Sequence, residues 1–293
     1  METNKLSRDR CNIDEIVVAR GAVYRYRESF SLGPIDISIG RRQIVAFIGP
    51  NGSGKTTLLK LLSGIYRPVE GDVYICGVNT KSLGLRDIAR YIGYVPQNPW
   101  MMFHSDNVLD ELITVSRNIG IDIDIAKENA IRIATMFGIE HLLDRSPLTV
   151  SEGEARRIAI ASALIHNPYT LFLDEPTAGL DYNLKKILTD IINSSIDFLG
   201  ISIAIATHDI DFLYMINRDI DIAVLSNGKI VYRGNINDID MDTLYKYNII
   251  PPQIHRVSRV LRDLIAIDFR DIDDIVTYIL SRKDSIGEKI CRQ

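Results

Sequence analysis

The sequence has no long apolar run and no excess of either charge. Its longest uncharged apolar stretches, Ile158 to Ile165 and Ile201 to Ala206, are the size of buried core segments and fall well short of the ~18 residues of a membrane-spanning helix. The 34 Lys and Arg residues nearly balance the 38 Asp and Glu residues, for a net charge of −4. This balance excludes a nucleic-acid-binding tail and a polybasic membrane anchor. We expect a soluble chain that reaches a membrane only through a partner.

Cysteine is scarce, and the N-terminal residues contain no apolar segment of the kind found in signal peptides. Cys11, Cys76 and Cys291 are far apart and odd in number, which favours a reducing compartment and no cysteine metal site. For Cys76 we expect core packing within an apolar strand. The sequence also lacks internal repeats and low-complexity segments. A cytoplasmic location is predicted.

A complete phosphate-binding loop is the most informative stretch that is present. Gly49-Pro50-Asn51-Gly52-Ser53-Gly54-Lys55-Thr56 fits G-x-x-x-x-G-K-[ST], between the apolar strand Ile44 to Ile48 and a helical stretch that starts at Thr57. Its glycines let backbone N–H groups approach a phosphate, and the helix N-terminus adds a positive dipole end. Lys55 is expected at the β- and γ-phosphates and the Thr56 hydroxyl at Mg²⁺. The alternative is a glycine-rich turn that binds nothing.

Two adjacent carboxylates follow a second apolar strand, Tyr169 to Leu173. Ligands of parallel sheets bind beyond the carboxyl ends of the strands, so Asp174 is predicted beside the phosphate-binding loop, within reach of Mg²⁺. Glu175 is predicted to polarise the attacking water. The alternative is a solvated acidic turn.

The chain is long enough for one α/β nucleotide-binding domain with a smaller appendage. Strands at Val17 to Tyr26, Ile35 to Ile39 and Gly71 to Ile75 predict an antiparallel sheet beside the α/β core. A helical pattern over about 98–165 interrupts the α/β alternation and predicts an inserted lobe. We therefore predict an ATPase domain over 1–234 and a C-terminal extension over 235–293, which includes helices at Asp238 to Tyr247, Gln253 to Ile265 and Asp271 to Arg282.

Taken together, these motifs resemble the ATP-binding cassette (ABC) ATPases, from about Val17 to about Arg233. Besides the phosphate-binding loop and Asp174-Glu175, four further segments match in order and spacing. Gln97 resembles the Q-loop glutamine, which would also approach the metal, and His208 resembles the switch histidine. Val150-Ser151-Glu152-Gly153-Glu154 resembles the signature motif, and Ala178-Gly179-Leu180-Asp181 resembles the D-loop. The resemblance implies Glu175, His208 and Gln97 as catalytic residues, and ATP and Mg²⁺ as substrate and cofactor.

The resemblance also implies a paired arrangement of two cassettes. Ser151 caps the helix that follows, so its hydroxyl and the N–H groups of Gly153 and Glu154 would form an anion site for the partner's ATP, with Asp181 beside it. The partner would be a second copy or a paralogue. Glu152 stands where the usual motif has glycine, and a carboxylate there must point away from the γ-phosphate. Tyr26 is expected to stack on adenine, with Tyr24 as the alternative, and Thr57 to line the nucleotide site.

Within the family, the segment Gln97-Asn98-Pro99 with Phe103 and Asn107 to Glu111 resembles energy-coupling factor ATPases, which import vitamins and transition-metal ions. We expect a peripheral subunit on the cytoplasmic face of a membrane, bound to an integral membrane partner. Two alternatives stay open: a soluble cassette ATPase without a membrane partner, and the ATPase of an exporter. Trp100, Met101, Met102 and Phe103 would fill either a groove of the partner or the core of the lobe. An apolar stripe in the C-terminal extension, at Ile254, Val257, Leu261, Leu264 and Ile265, predicts a contact between cassettes or packing on the chain's own domain.

Overall fold

The computed structural model describes residues 11, 13–26, 30–265 and 277–278. An antiparallel sheet comes first in the chain, in the strand order β2-β1-β4-β5. Its strands are β1 (Glu15–Tyr26), β2 (Phe30–Gly40), β4 (Glu70–Ile75) and β5 (Val78–Asn79). Apolar side chains of one face alternate with exposed ones along β1 and β2, as expected for a sheet with one buried face.

A second, mostly parallel sheet of six strands holds the centre of the domain, in the order β10-β9-β3-β8-β7-β6. The strands are β3 (Ile44–Ile48), β6 (Ile92–Val95), β7 (Thr170–Asp174), β8 (Ser202–Thr207), β9 (Asp221–Ser226) and β10 (Lys229–Asn235). Every residue of β3, β7 and β8 is buried, which is why these strands read as unbroken apolar runs rather than as an alternating pattern. Only β10 pairs antiparallel, with β9.

The pairing register places the carboxyl ends of four parallel strands side by side. Ile48 of β3 pairs with Thr207 of β8, and Asp174 of β7 pairs with Ala206 of β8. Val95 of β6 pairs with Leu173 of β7. The loops that leave these strands therefore start along one edge of the sheet, where the functional residues are expected.

Helices cover the central sheet and form a lobe between β6 and β7. Those of the core are α1 (Lys55–Leu62), α2 (Leu85–Ile88), α6 (Tyr182–Ser194) and α7 (Ile210–Met215), and those of the lobe are α3 (Val108–Ile119), α4 (Ile123–Phe137) and α5 (Glu152–Leu164). Asn107, Asp122 and Ser151 cap the first turns of the lobe helices with side-chain oxygens. Gly120 and Gly138 end α3 and α4 in the left-handed conformation.

The described chain divides into two compact units, 1–239 and 240–293. The second contains α8 (Met241–Lys246) and α9 (Gln253–Ile265). On α9 the side chains of Val257 and Val260 are exposed. The side chains of Ile254, Leu261, Leu264 and Ile265, and most of the predicted helix Asp271 to Arg282, lie outside the described residues, so the stripe and the boundary at 234/235 stay predictions.

The predicted α/β core with an antiparallel sheet and an inserted helical lobe is confirmed, with element ends that differ by a few residues. The regular α6 ends at Ser194 and continues as one π-helical turn over Ser195–Leu199. The sequence pattern missed the two-residue strand β5 and the short helix α2, because neither is long enough to show a period. None of the helices in the described part of the chain has the length and apolarity to span a bilayer.

The cysteine prediction needs a correction, because Cys11 and Cys76 form a disulfide. Cys76 lies in the turn after β4 with a φ of 48°, and its N–H donates to Ile16 of β1. Val17 of β1 pairs with Ile75 of β4, so the residues flanking these strands meet across the sheet although 65 positions separate the two cysteines in sequence. Sequence distance concealed this contact.

Candidate active site

The loops beyond the aligned strand ends enclose a cleft of about 550 Å³. It brings together the phosphate-binding loop, the residue after β7, the residue after β8, and Gln97 from the loop after β6. Two aromatic residues of the antiparallel sheet complete the wall. The lining residues are Tyr26, Phe30, Asn51, Gly52, Gly54, Lys55, Thr56, Thr57, Gln97, Glu175 and His208.

The phosphate-binding loop has a backbone that other residues could not adopt. Gly54 caps α1 with a φ of 107°, a left-handed conformation that an L side chain rarely takes. At Gly49 a Cβ would lie 2.4 Å from the carbonyl oxygen of Leu225, so the loop can lie this close to β9 only with glycine. The side chain of Lys55 curls back into the loop, and its Nζ donates to the carbonyls of Gly49 at 2.9 Å and Pro50 at 3.3 Å.

Glu175 occupies the centre of the cleft in a strained conformation. Its φ is 45°, in the left-handed region that is uncommon for a residue with a side chain. Its Oε1 lies 3.2 Å from Lys55 Nζ, and its Oε2 lies 2.9 Å from His208 Nδ1. The N–H of Glu175 donates to Ala206 of β8. Strain held by surrounding contacts is typical of functional sites.

Asp174 lies beside the start of α1, with one hydrogen bond to each of its carboxylate oxygens. Thr56 Oγ1 donates to Oδ1 at 2.9 Å, and the Tyr94 hydroxyl donates to Oδ2 at 3.2 Å. Burial raises the pKa of Asp174 above its ordinary value, and these two hydrogen bonds act against that rise. Burial also raises the pKa of Tyr94, so that its hydroxyl stays a donor.

Two aromatic residues face the cleft from the end of the β1–β2 hairpin. Tyr26 and Phe30 pair across the two strands, and the Tyr26 side chain is half exposed. Tyr24 instead stacks on Tyr66, with ring centroids 4.6 Å apart. Of the two tyrosines that the sequence offered for adenine, Tyr26 is therefore the one with a ring face open to the cleft.

The residues of the cleft fit a nucleotide and a magnesium ion. Within the described residues, the buried hydroxyl of Ser53 has no hydrogen-bond partner, although it lies inside the phosphate-binding loop. Thr56 Oγ1 and Asp174 Oδ1 are adjacent oxygen donors, the ligand type that Mg²⁺ prefers. Lys55 provides a buried cation within the phosphate-binding loop. A ligand rich in anionic oxygens matches Ser53 and Lys55, and a magnesium ion matches the oxygens of Thr56 and Asp174.

Comparisons with known proteins agree with this chemistry. A family model described as "ABC transporter" matches residues 32–178. The chain belongs to the ABC transporter ATP-binding family. It is 37% identical over 220 residues to a putative ABC transporter ATP-binding protein of Pyrococcus furiosus, covering 74% of this chain and 82% of that protein. As a member of this family, the chain is an ATPase.

Two further relatives carry more specific names. An energy-coupling factor transporter ATP-binding protein, EcfA, of Methanoculleus marisnigri is 31% identical over 257 residues, covering 86% of this chain and 92% of that protein. The solved structure of cbiO1 from Clostridium perfringens, described as part of the ABC transporter complex cbiONQ, superposes with a TM-score of 0.71. It is 28% identical and covers 85% of this chain and 100% of that one.

The residues predicted to face a partner's nucleotide do not line this cleft. Ser151 begins α5 with a reciprocal cap: Glu154 N–H donates to its hydroxyl, and Glu154 Oε2 accepts from Ser151 N–H at 2.8 Å and from its hydroxyl at 2.7 Å. These bonds lower the pKa of Glu154. Gly153 packs on Leu184, where a Cβ would lie 2.7 Å from a methyl group. Asp181 accepts from Leu184 N–H as the cap of α6.

Sequence reasoning missed three residues of this ABC ATPase that touch the predicted site residues. Phe30 lines the cleft, Tyr94 binds Asp174, and Arg156 donates to the carbonyl of Gln97. Tyr94 could have been found from the sequence, because it lies three residues before Gln97 near the end of a predicted strand. Arg156 reads as an ordinary surface residue of a helix until its burial is known.

Proposed function

We propose that this chain is the ATP-hydrolysing subunit of a membrane importer of the energy-coupling factor type. The observation that carries the proposal is the cleft that joins Lys55, Thr56, Glu175 and His208 around a space that suits a triphosphate. The names of the EcfA and cbiO1 relatives support the importer type. The solute would be small, a vitamin or a metal ion, and its choice would lie with a membrane subunit.

The proposed chemistry assigns each residue of the cleft one task. Lys55 and the N–H groups at the start of α1 bind the β- and γ-phosphates, and the Tyr26 ring stacks on adenine. Thr56, Asp174 and Gln97 would hold Mg²⁺, which would neutralise charge at the phosphate oxygens. Glu175 orients the attacking water and accepts its proton. His208 fixes the Glu175 carboxylate through its Oε2.

The ATP site is proposed to be completed by a second cassette, either a copy or a paralogue. Ser151, Gly153, Glu154 and Asp181 lie outside the lining of their own cleft and would approach the partner's nucleotide. A mixture of Lys55→Ala chains and Ser151→Arg chains tests this directly. Each mixed dimer would contain one site with both defects and one site with neither, so activity should return on mixing. Two inactive variants that stay inactive together would contradict shared sites.

The extension over 235–293 is proposed to strengthen the contact between cassettes. A chain that ends at residue 235 should keep ATP binding and form fewer dimers without nucleotide, as measured by light scattering. Unchanged dimerisation in the shortened chain would favour the alternative, in which the apolar stripe of the full chain packs on its own domain.

Membrane attachment is proposed to run through the lobe next to Gln97. Phe103 is buried and belongs to the lobe core, whereas Met101 is 72% exposed. Trp100 and Met102 are half-buried. We propose that the two roles weighed for this segment belong to different residues, with Phe103 in the lobe and Met101 at the membrane partner. A flexible, exposed methionine beside half-buried apolar neighbours suits the groove of a membrane subunit.

Membrane fractionation with ATPase assays tests the proposed function. The wild-type chain should hydrolyse ATP with Mg²⁺ and co-purify with a transmembrane partner from its own cells. Met101→Glu should release it from the membrane fraction and keep ATP binding. Ile131→Glu is the control, because Ile131 is another exposed apolar residue, on α4, and this variant should stay attached. Wild-type chain that is ATPase-active but found only in the soluble fraction would favour the soluble, non-transport class.

A further inference from the structure

Arg156 lies in the second turn of α5 with its side chain almost fully buried. Its guanidinium makes two hydrogen bonds, both to main-chain carbonyls. Nη1 donates to Gln97 O at 2.8 Å, and Nη2 donates to Ala178 O at 3.0 Å. The two acceptors belong to different loops, one after β6 and one after β7. A single side chain therefore joins three segments of the molecule.

Each of these segments carries a residue with a proposed role at ATP. Gln97 lines the cleft, Asp181 follows Ala178 by three residues, and Ser151 is the first cap of α5. The planar fork of an arginine can serve two acceptors in fixed directions, which a lysine cannot. Because the guanidinium is buried, losing either carbonyl would leave it poorly compensated. The geometry therefore favours one arrangement of the two loops relative to α5.

Glu152 adds an acidic contact to the same point. Its Oε1 lies 3.8 Å from Arg156 Nη2, one helical turn away. The carboxylate also packs against Gly179, where a Cβ would lie only 2.7 Å from Glu152 Oε1. The residue that replaces the usual glycine of the signature motif is thus turned toward the loop of Ala178 and toward Arg156. It partly balances a charge that would otherwise be buried alone.

We propose that Arg156, paired with Glu152, is a positioning residue that sets the places of the Gln97 loop and the Ala178–Asp181 loop relative to the start of α5. This inference rests on the proposed function, because the loops matter only if they act on ATP. Among the described residues, the hydrogen bonds of the Arg156 side chain go to these two loops and not to the phosphate-binding loop. We therefore expect ATP binding to depend on Arg156 less than the rate of hydrolysis does, because hydrolysis requires both loops in place.

The neighbouring Arg157 is a matched control. It also bridges two main-chain carbonyls, but both lie inside the lobe: its Nη1 donates to Phe137 O at 3.0 Å and Gly138 O at 3.1 Å. Both arginines belong to α5, and replacing either one removes a guanidinium that binds two main-chain carbonyls. Of the two arginines, Arg156 is the one whose hydrogen bonds connect α5 to the loops at the cleft.

The test compares Arg156→Met, Arg156→Lys and Arg157→Met in the full chain. Hydrogen exchange of the nucleotide-free protein reports the two loops, and steady-state kinetics report kcat and KM for ATP. Arg156→Met should speed exchange in both loops and lower kcat at least about tenfold with KM little changed, since small misplacements of positioned groups cost rate. Arg156→Lys should recover part of both. Arg157→Met should leave exchange in both loops at the wild-type level.

Glu152 is tested through Arg156. Glu152→Gln alone should speed hydrogen exchange in the same loops to a smaller extent. Adding it to Arg156→Met should cause no further rise in exchange and no further loss of kcat. An additional loss in the double variant would show that Glu152 acts separately and would overturn the pairing.

Other results separate this inference from the proposed function. Equal effects of Arg156→Met and Arg157→Met, or unchanged kcat in Arg156→Met, would overturn the positioning role. A wild-type chain without ATPase activity whose two loops still loosen in Arg156→Met would overturn the proposed function and uphold the loop positioning.

Discussion

Lys55 Nζ lies 3.2 Å from Glu175 Oε1, and both side chains are buried. The cation proposed to bind phosphate and the carboxylate proposed to act on water therefore form an ion pair with each other. If these roles hold, a γ-phosphate entering the loop would compete with Glu175 for Lys55. Binding would then release the carboxylate oxygen next to the position of the attacking water. A buried pair of this kind is costly to break from one side, because the remaining charge has no partner.

Glu175→Gln tests both halves of this relationship. Turnover should fall by roughly 10²–10⁴-fold, the usual contribution of a general base. ATP should bind at least as tightly as in the wild type, because the charge that competes for Lys55 is gone while Thr56 and Asp174 are intact. Isothermal titration with ATP and a steady-state ATPase assay give the two quantities.

Lys55→Ala is the contrasting variant. It should lose nucleotide binding itself, since it removes the cation and leaves the Glu175 carboxylate facing the phosphate without its lysine partner. A Glu175→Gln chain with near-normal turnover, or one that binds ATP much more weakly, would exclude the proposed role of the ion pair.

The phosphate-binding loop and the strands around it were predictable because their signals are local. Gly49, Gly54 and Lys55 carry their meaning in their spacing, and fully buried strands such as β3 and β8 appear as unbroken apolar runs. The α/β core with its inserted lobe followed from these patterns and the family resemblance.

The remaining features depend on contacts between distant parts of the chain. The Cys11–Cys76 disulfide spans 65 positions and exists because β1 and β4 are neighbours. Arg156 meets Gln97 only because α5 packs beside the end of β6, and nothing in its own helix marks it as buried. Tyr24 differs from Tyr26 because Tyr66, which is distant in sequence, stacks on the ring of Tyr24. Pattern and spacing do not encode such contacts.

Tyr94→Phe is expected to weaken metal binding. The hydroxyl of Tyr94 holds Asp174 Oδ2 at 3.2 Å, so its loss frees the carboxylate to turn away from the position next to Thr56. Outer contacts of this kind typically affect metal affinity by 10- to 100-fold, and we expect about tenfold here because Thr56 still holds the other oxygen. Electron paramagnetic resonance of Mn²⁺ in the presence of nucleotide measures this change in metal affinity.

Tyr91→Phe is the control for this substitution. Tyr91 stacks on Tyr169, and the described hydrogen bonds of the Asp174 carboxylate go to Thr56 and Tyr94 instead. An equal change in Mn²⁺ affinity in both variants would trace the effect to general loosening of the strand region.

Reduction of the Cys11–Cys76 disulfide is expected to lower the free energy of unfolding. The cross-link closes a loop across 65 positions of sequence, and the chain-entropy model gives up to about 4 kcal/mol for a loop of that size. Urea unfolding of the wild type with and without reductant measures the difference. Cys76→Ala should behave like the reduced wild type and should no longer respond to reductant, whereas Cys291→Ala should respond in full. A wild-type midpoint that is indifferent to reductant would contradict the stabilising role.

His166, just beyond the end of α5, is expected to make stability depend on pH. Burial lowers its pKa from 6.5 to about 4, so the folded chain keeps the ring neutral over a range in which the unfolded chain protonates it. Between these two pH values the unfolded state binds more protons than the folded state. The contribution of His166 to stability is therefore fully present above about pH 6.5, falls as the pH drops toward 4, and changes no further below that. A shift of this size corresponds to about 3 kcal/mol. His166→Leu should remove this component, and His141→Leu, at an exposed position, controls for the loss of a histidine as such. Urea unfolding at pH 7 and pH 4 gives the change in the free energy of unfolding of each variant between the two pH values. An equal change in the wild type and in His166→Leu would show that His166 is not a source of the pH dependence.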